Sequence, residues 1–402
     1  MSDKIAIISV DGHVKPPRSA YLDYIDPRYR GLLQDALEQA EGTPDGFVHP
    51  DIDEDLQWDG PRRLVDLASQ GVVAEVVFSN GKPFDDPRVD HSPDPELVRA
   101  SDMAYNRWLV DFCSTAPGRF CGLAAISFDE VDQAVTDIHW AKEHGLGGVL
   151  MPPLHPGGKY FFDPGLDPIW AACQEAGLPL NQHGGTGTPK YEPVSFASFM
   201  VLATEHSFFS GRSLWQLILG GVFDRFPELK IAYIETEQWW LGPVMELLDR
   251  RERVGDDWTE FAENLRRVKP YQKLPSDYWR SNCYAGMSPL MADQSTIDQL
   301  CSGGTGFAIG SANAMVGVDY PHPETAYPGF LRQVQVMVDD PRIKESDARR
   351  VLYDNAAELY GFDPVLLQPH IERVGFSLDE IPAPQGARGQ LSSLFEVIPT
   401  AL

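Results

Sequence analysis

The chain predicts a single (β/α)8 barrel, and three observations carry that expectation. Short apolar runs alternate with longer amphipathic stretches, the pattern of βα units feeding a parallel sheet. Eight such runs fall between residues 5 and 319. Polar residues of the metal-ligating kind stand at the ends of several of them, where a barrel gathers its active-site groups. A doubly wound open sheet is the rival architecture, built from the same units.

The runs that read as strands are Ile5–Val10, Val73–Ser79, Gly122–Ser127, Gly148–Met151, Leu178–Gln182, Lys230–Glu235, Ser281–Gly286 and Ala314–Asp319. Between them, Pro61–Ser69 has its proline early in a helix, Asp132–Glu143 has helical spacing, and Asp167–Ala176 ends at Gly177, a helix-stopping glycine. Gln238–Arg253 and Gln294–Cys301 are amphipathic, and Ser346–Gly361 reads as a further helix. Tyr24–Asp59 is too long for a plain connection and is expected to lie over the barrel mouth as an insertion, residues 24–59. Residues 1–362 form the barrel in this reading. Residues 363–402 are a tail, apolar over Leu391–Leu402, that packs on the barrel or on a neighbouring subunit.

Composition narrows the function. The chain has 402 residues with 43% hydrophobic, enough for a sizeable core. Its 59 acidic against 33 basic residues leave a formal charge of −26, a field that repels nucleic acid and anionic membrane surfaces. No apolar run approaches membrane-spanning length, and the opening MSDKIAIISVDGH has no secretory core. A cytoplasmic enzyme with a small-molecule substrate, present as a homodimer, is the expectation. The cysteines, Cys113, Cys121, Cys173, Cys283 and Cys301, are odd in number and lack a CxxC pair, which argues against a disulfide framework or a Cys-rich zinc site. Cys283, near a strand end, is the one cysteine weighed as a nucleophile, and a small buried hydrophobe is the stronger reading.

At the strand ends stand Asp11 and His13 in VDGHV, His183 in NQHGG, Glu235 in YIETE, and Asp319 in VGVDYPH with His322 just beyond. An i, i+2 pair on a strand points both side chains to one face. Two imidazoles and two or three carboxylates thus converge, a donor mixture suited to Zn²⁺, Mn²⁺ or Fe²⁺. Taken singly each has a bland alternative, such as an exposed turn for DxH or a helix cap for Asp319. His155, on the loop after the fourth strand, and His206 with Arg212, in the helix after the fifth, are further candidates near the mouth. Arg212 would bind a substrate carboxylate or phosphate, or pair with an acidic neighbour. The GGTG at 184–187 lacks the lysine and spacing of a nucleotide loop.

VDGHVKPP, NQHGGTG, GGVFDRFPELKIAYIE and VGVDYPHPET together resemble the second amidohydrolase family. This is the branch of the amidohydrolase superfamily that includes aminocarboxymuconate semialdehyde decarboxylase and the resorcylate- and vanillate-type decarboxylases. The resemblance runs from residue 5 to about 362, where the chain reads DNAAELYGF. It implies a distorted barrel with a divalent metal at the mouth, held by Asp11, His13, His183 and Asp319. The sequence departs from the pattern where relatives carry a strand-six histidine, here Glu235, and where binuclear members carry a strand-four lysine, here replaced by MPPLHPGG. Either one ion binds, or Glu235 ligates or bridges to a second. Many close relatives also carry a glutamate shortly after DxH, where Lys15, Pro16 and Pro17 stand here.

Hydrolysis of an acyl bond (amide, ester, lactone or a thioester such as an acyl-coenzyme A) is the first functional expectation. A metal-activated water would attack, Asp319 would move the proton, and His183 or His206 would stabilise the oxyanion. Non-oxidative decarboxylation of a small aromatic or unsaturated carboxylic acid is the second, with no organic cofactor in either case. A barrel retained only as a binding scaffold is the third, and the complete ligand set argues against it. Arg212, His155, His322 and Trp239 are the expected substrate-binding residues. Together with Tyr191, Phe208, Phe209 and Trp240, the aromatic Trp239 suggests a bulky apolar substrate.

Overall fold

The computed structural model describes residues 4–40, 48–84, 94–153, 159–189, 191–193, 195–253, 264, 267–290, 294–301 and 307–382. Eight strands follow one another round a barrel in chain order, every neighbouring pair parallel. They are β1 (Ile7–Val14), β2 (Val72–Ser79), β3 (Phe120–Ala124), β4 (Gly148–Leu150), β5 (Leu180–His183), β6 (Ile231–Ile234), β7 (Cys283–Met287) and β8 (Ala314–Val316). A parallel bridge between Gly12 and Tyr320 closes the ring. Sequential order with closure rules out the doubly wound alternative, which needs a switch in strand order.

Most expected helices stand close to their predicted bounds, at Gly60–Ala68, Val131–Glu143, Asp167–Ala176 and Gln294–Cys301. Gly177 ends the third of these in the left-handed conformation. The helix expected from Gln238 begins only at Leu241, because Glu235, Glu237 and Gln238 all have φ between 50° and 54° and break the chain direction first. Two long helices, Pro95–Ser114 and Phe196–Leu219, complete the outer layer behind caps from Asp94 and Ser195. The stretch read as one helix from Ser346 is helical at Glu345–Arg349, π-type at Arg350–Asp354 and α again at Asn355–Tyr360.

The strands bury both faces, as a barrel requires. Ala6, Ile8 and Val10 pack inward with Val76, Ile234 and Met315, while Ile7, Val77 and Tyr233 pack outward against the helices. Beneath the strands, Tyr360, Leu367 and Ile371 join the inner cluster. Tyr360 donates from its hydroxyl to Asn181 Oδ1 of β5 at 2.7 Å. Ile5 and Phe376 pair as an antiparallel bridge. Residues 363–376 of the expected tail therefore close the barrel floor, and 383–402, with the apolar stretch Leu391–Leu402, lie outside the described residues. Of the insertion, His49 donates its backbone N–H to Pro321 O, and Gln57 accepts from Asn80, so residues 49–57 rest against the mouth.

β1 contains a register shift between Ser9 and Gly12. Before it, even-numbered residues face inward, and after it Asp11 and His13 do. Such a bulge re-aims side chains beside active sites. Gly12 now faces outward onto a buried ion pair. Arg63 Nε donates to Glu75 Oε2 at 2.6 Å and Nη2 to Glu75 Oε1 at 3.0 Å, and neither side chain is exposed. A Cβ on Gly12 would lie 2.5 Å from Glu75 Oε1 and 2.8 Å from Arg63 Nη2. The same guanidinium donates to the carbonyls of His13 at 3.1 Å and Tyr320 at 2.7 Å, tying the end of β1 to the segment after β8.

Removing one partner of such a pair strands the other charge in the core. Arg63→Leu is expected to cost about 3–5 kcal/mol of folding stability, and the double variant Arg63→Leu/Glu75→Leu to recover a large part of it. Chemical denaturation of the three proteins measures this, and equal losses in single and double variants would refute it.

Candidate metal centre

Four strand ends deliver the central groups. β1 brings Asp11 and His13, β5 His183, the turn after β6 Glu235, and the turn after β8 Asp319. Glu235 and Asp319 have φ of 54° and 60°, in the left-handed region that side chains other than glycine rarely occupy. On β6, Ala232 and Ile234 face inward, so regular alternation would turn the next residue outward. The left-handed turn brings Glu235 back to the mouth. Its carbonyl leaves no room beside it for a side chain at Gly184, where a Cβ would lie 2.2 Å from Glu235 O. That contact explains the glycine directly after His183.

The distances define one cluster. Asp11 Oδ1 is 3.2 Å from His13 Nε2 and 3.3 Å from His183 Nε2, and Glu235 Oε2 is 3.1 Å from His183 Nε2. Asp319 Oδ1 is 3.2 Å from His13 Nε2 and 3.0 Å from His322 Nδ1. Ser288 donates to the other Asp11 oxygen at 2.6 Å, which leaves Oδ1 facing the cluster. His322 stacks on His13 at 3.7 Å between ring centroids, and Phe78 tilts against His183 at 4.7 Å. Ligand atoms of Asp11, His13, His183 and Glu235 lie within 4.8 Å of one another, as do those of His13, Asp319 and His322, and those of Glu235, Asp319 and Glu324.

This donor set fits a divalent cation. Both ring nitrogens of His13 and both carboxylate oxygens of Asp319 are buried without a hydrogen-bond partner, a state that normally costs about 1–3 kcal/mol per group. Lone pairs of imidazole and carboxylate aimed at a common point attract either protons or a metal. In the metal-free protein, burial works against charge on His13, but Asp11 and Asp319 carry its pKa up to about 10. Burial favours the neutral form of Asp11 too, yet His183 and His13 hold it well below the usual carboxylate range. Burial likewise raises Asp319, and His322 and His13 outweigh it and keep it ionised. Glu235 is pushed well up by burial and by Asp319 and Asp11, and Glu324 to about 7 by burial and Asp319. Burial and His13 lower His322.

Beside the cluster lies a cavity of about 250 Å³ lined by His13, His183, Phe78, Ile126, Met151 and Lys82 among others. Lys82 Nζ is 2.9 Å from Asp102 Oδ1 on its wall. Arg212 lines a shallow recess next to this cavity with Gln182, Thr186 and Phe209, its guanidinium 5.8 Å from the Phe209 ring. His206 is not brought into the cluster. Its Nδ1 faces Ala203 O, and Ser207 links its surroundings to Glu237. Trp239 is half exposed and lines a separate depression with Glu246 and Phe307. His155 lies outside the described residues. Cys283 is buried, and desolvation pushes its thiol above the ordinary range, which removes it as a nucleophile. Sequence reasoning missed Ser288, Lys82, Asn80 and Glu324. Glu324 alone carried a signal, inside DYPHPE.

A family model described as amidohydrolase matches residues 10–362. The chain is 23% identical over 282 residues to a gamma-resorcylate decarboxylase of Rhodococcus jostii, covering 67% of this chain and 79% of that protein. It is 22% identical over 326 residues to a 2-amino-3-carboxymuconate-6-semialdehyde decarboxylase of Dictyostelium discoideum, covering 80% and 81%. Among solved structures, a dihydroxybenzoic acid decarboxylase from Polaromonas sp. JS666, with bound manganese and the inhibitor 2-nitroresorcinol, superposes with a TM-score of 0.60 at 17% identity, over 89% of this chain and 97% of that one. These relatives correct the first functional expectation. Hydrolysis of an acyl bond, the thioester case included, is overturned because both curated relatives are decarboxylases. The physical reason for the error is that the same donors that activate water also chelate a carboxylate, so the ligand set does not select between the two reactions.

Two outcomes follow from the site's electrostatics and strain. Protonated His13 contributes stability to the metal-free protein that is fully present below pH 6.5 and is lost as pH rises through about 10. A metal must displace that proton, so affinity for Mn²⁺ rises with pH between 6 and 8, and binding releases protons. Calorimetric titration in buffers of different ionisation enthalpy reads the release, and a buffer-independent enthalpy would contradict it. Glu235→Gly removes a left-handed side chain worth about 1–3 kcal/mol of strain. It should raise the melting temperature of the metal-free protein while weakening Mn²⁺ binding. An unchanged or lower melting temperature counts against strain at this position.

Proposed function

Because the chain belongs to the amidohydrolase family, an enzyme superfamily, we propose that it is a metal-dependent non-oxidative decarboxylase of a small aromatic or unsaturated carboxylic acid. The carrying observation is the cluster of Asp11, His13, His183, Glu235 and Asp319 opening onto a mostly apolar cavity. The activities of the two curated relatives support the same reading. A dry cavity of roughly 150 Å³ already accepts benzene, so about 250 Å³ accommodates a single substituted ring.

Asp11, His13, His183 and Asp319 would hold the ion, with Glu235 beside them. Manganese is the favoured metal, since replacing the family's strand-six imidazole by a carboxylate hardens the donor set. When bound, the ion would fix the substrate carboxylate and stabilise the negative charge that develops on the ring. Phe78, Ile126 and Met151 pack the ring and exclude water. Lys82, steadied by Asp102, presents a cation to a polar substituent.

The proton comes from the pair formed by Asp319 and His322. Asn80 donates to Gln57, so its own oxygen faces His322 Nε2 at 3.0 Å and accepts from it. With a hydrogen committed to Nε2, the Nδ1 lone pair faces the ionised Asp319 Oδ1 across 3.0 Å, so a proton entering the site from water would be held between the two. As the bond to the carboxyl carbon breaks, its electron pair stays on the ring carbon, carbon dioxide leaves, and the shared proton moves to that carbon. The protein then regains a proton from water.

Asp319→Asn is expected to lower turnover roughly 10²–10⁴-fold without loss of folding. The assay is carbon dioxide release by Mn²⁺-loaded protein from ortho-hydroxybenzoates and unsaturated carboxylic acids. No release across such a panel, with esters or thioesters hydrolysed instead, would end the decarboxylase reading.

A further inference from the structure

The floor of the barrel carries a cluster of cations that the chemistry at the mouth does not use. Arg119 directly precedes β3 and is only 8% exposed. Its Nε donates to Val73 O at 2.7 Å, while Nη2 is buried without a hydrogen-bond partner. Arginine is almost never buried unless paired. Glu75, the carboxylate whose charge offsets Arg119, already spends both oxygens on Arg63. The helix Pro364–Val374 packs over this position, since a Cβ on Gly118 would lie 3.1 Å from Leu366 Cδ1. His370 and Arg373 follow Leu366 at helical spacing, on the same face. Arg373 Nη2 approaches His370 Nδ1 at 3.5 Å. Burial, and then the charge of Arg373, bring Arg119 down to about 10. Burial, Arg119 and Arg373 likewise lower His370. Three basic groups thus repel one another at one point under the strands.

We propose that Arg119, His370 and Arg373 form an oxyanion site, which takes a tetrahedral dianion of the phosphate or sulfate kind and pins the C-terminal helix to the barrel floor. Two guanidinium groups carry two permanent charges, and their planar forks match the oxygens of such an ion. The helix end explains only part of the cluster. Cations near a helix C-terminus offset its dipole, which accounts for Arg373 and for Lys4, whose ammonium donates to Glu372 O at 2.8 Å. It does not account for Arg119, which comes from the strand side with a buried, unpaired donor. Acids are abundant in a chain of net charge −26, yet none among the described residues pairs with Arg119 or Arg373. The carboxylate of Glu372 accepts from Gln368 Nε2 at 3.2 Å instead. An anion from solvent supplies the acceptor that the chain withholds. The site lies at the end of the barrel opposite the metal cluster and is independent of the reaction proposed above.

The test is anion-linked stability of the full chain. Native protein is titrated with sulfate, inorganic phosphate and glycerol phosphate at ionic strength held constant with sodium chloride, and Tm is read by calorimetry. A rise in Tm that saturates with anion concentration is expected, the mark of a discrete site. Arg373→Gln and His370→Gln, folded by circular dichroism and unchanged in Mn²⁺ affinity, should each weaken the apparent affinity roughly tenfold or more. A response to sulfate and phosphate alone assigns a free inorganic ion, and an equal response to glycerol phosphate assigns the phosphoryl group of a metabolite. A rise that never saturates and is shared by native protein and both variants is general salting-out and overturns the proposal. Crystals soaked in selenate give the location directly. Anomalous density between Arg119 and Arg373 is expected, and density confined to other places overturns the assignment.

Discussion

The guanidinium of Arg63 is the contact on which the rest of the mouth depends. It is fully buried, bound side-on to Glu75, and also spends two donors on the carbonyls of His13 and Tyr320. Those carbonyls belong to the first and last segments of the barrel wall, so one side chain holds the seam closed. A buried ion pair on its own is weak evidence for stability. Its value here is positional, because the carbonyl it grips at His13 fixes the backbone from which a central ring projects. Tyr320 adds its ring face at 4.6 Å from the guanidinium carbon. Gly12 is the residue that lets this arrangement approach β1 so closely.

Several departures from the local rules of the barrel coincide where the candidate site is built. β1 slips its register just before Asp11 and His13. Glu235 and Asp319 adopt a left-handed backbone. His13 and Asp319 bury polar atoms without hydrogen-bond partners. Each departure costs stability, and each aims a donor at the same point. Breaches of local preference concentrated at a functional site are the expected compromise between folding and chemistry. The surrounding wall, with Ile7, Val76, Ile231 and Val316 wholly buried, provides the rigid background that holds them.

Much of this was legible in the sequence because it follows from periodicity. Alternating apolar runs marked all eight strands, and the residue types at their ends marked Asp11, His13, His183, Glu235 and Asp319 as convergent. What stayed hidden follows from phase and from turns. The apolar pattern of Ala6, Ile8 and Val10 continues its parity towards Gly12, and nothing in the residue string announces the slip that turns Asp11 and His13 inward. Glu324 and Ser288 sit on loops, where no repeat places a side chain, and their roles depend on how those loops fold back. The choice of reaction was hidden for a different reason, since one ligand set serves both water activation and carboxylate chelation.

The floor of the barrel ties the two ends of the described chain together. Ile5 pairs with Phe376, which follows it by 371 residues, and Tyr360, Leu367 and Ile371 fill the cavity under the strands. During synthesis, the inner faces of the early strands therefore lack their cover until residues 360–376 have left the ribosome. At bacterial or eukaryotic elongation rates that interval is on the order of 20–75 s. Ile8, Val10 and Val76 would spend it without their final neighbours, a window in which nascent chains of this architecture are most in need of chaperone protection.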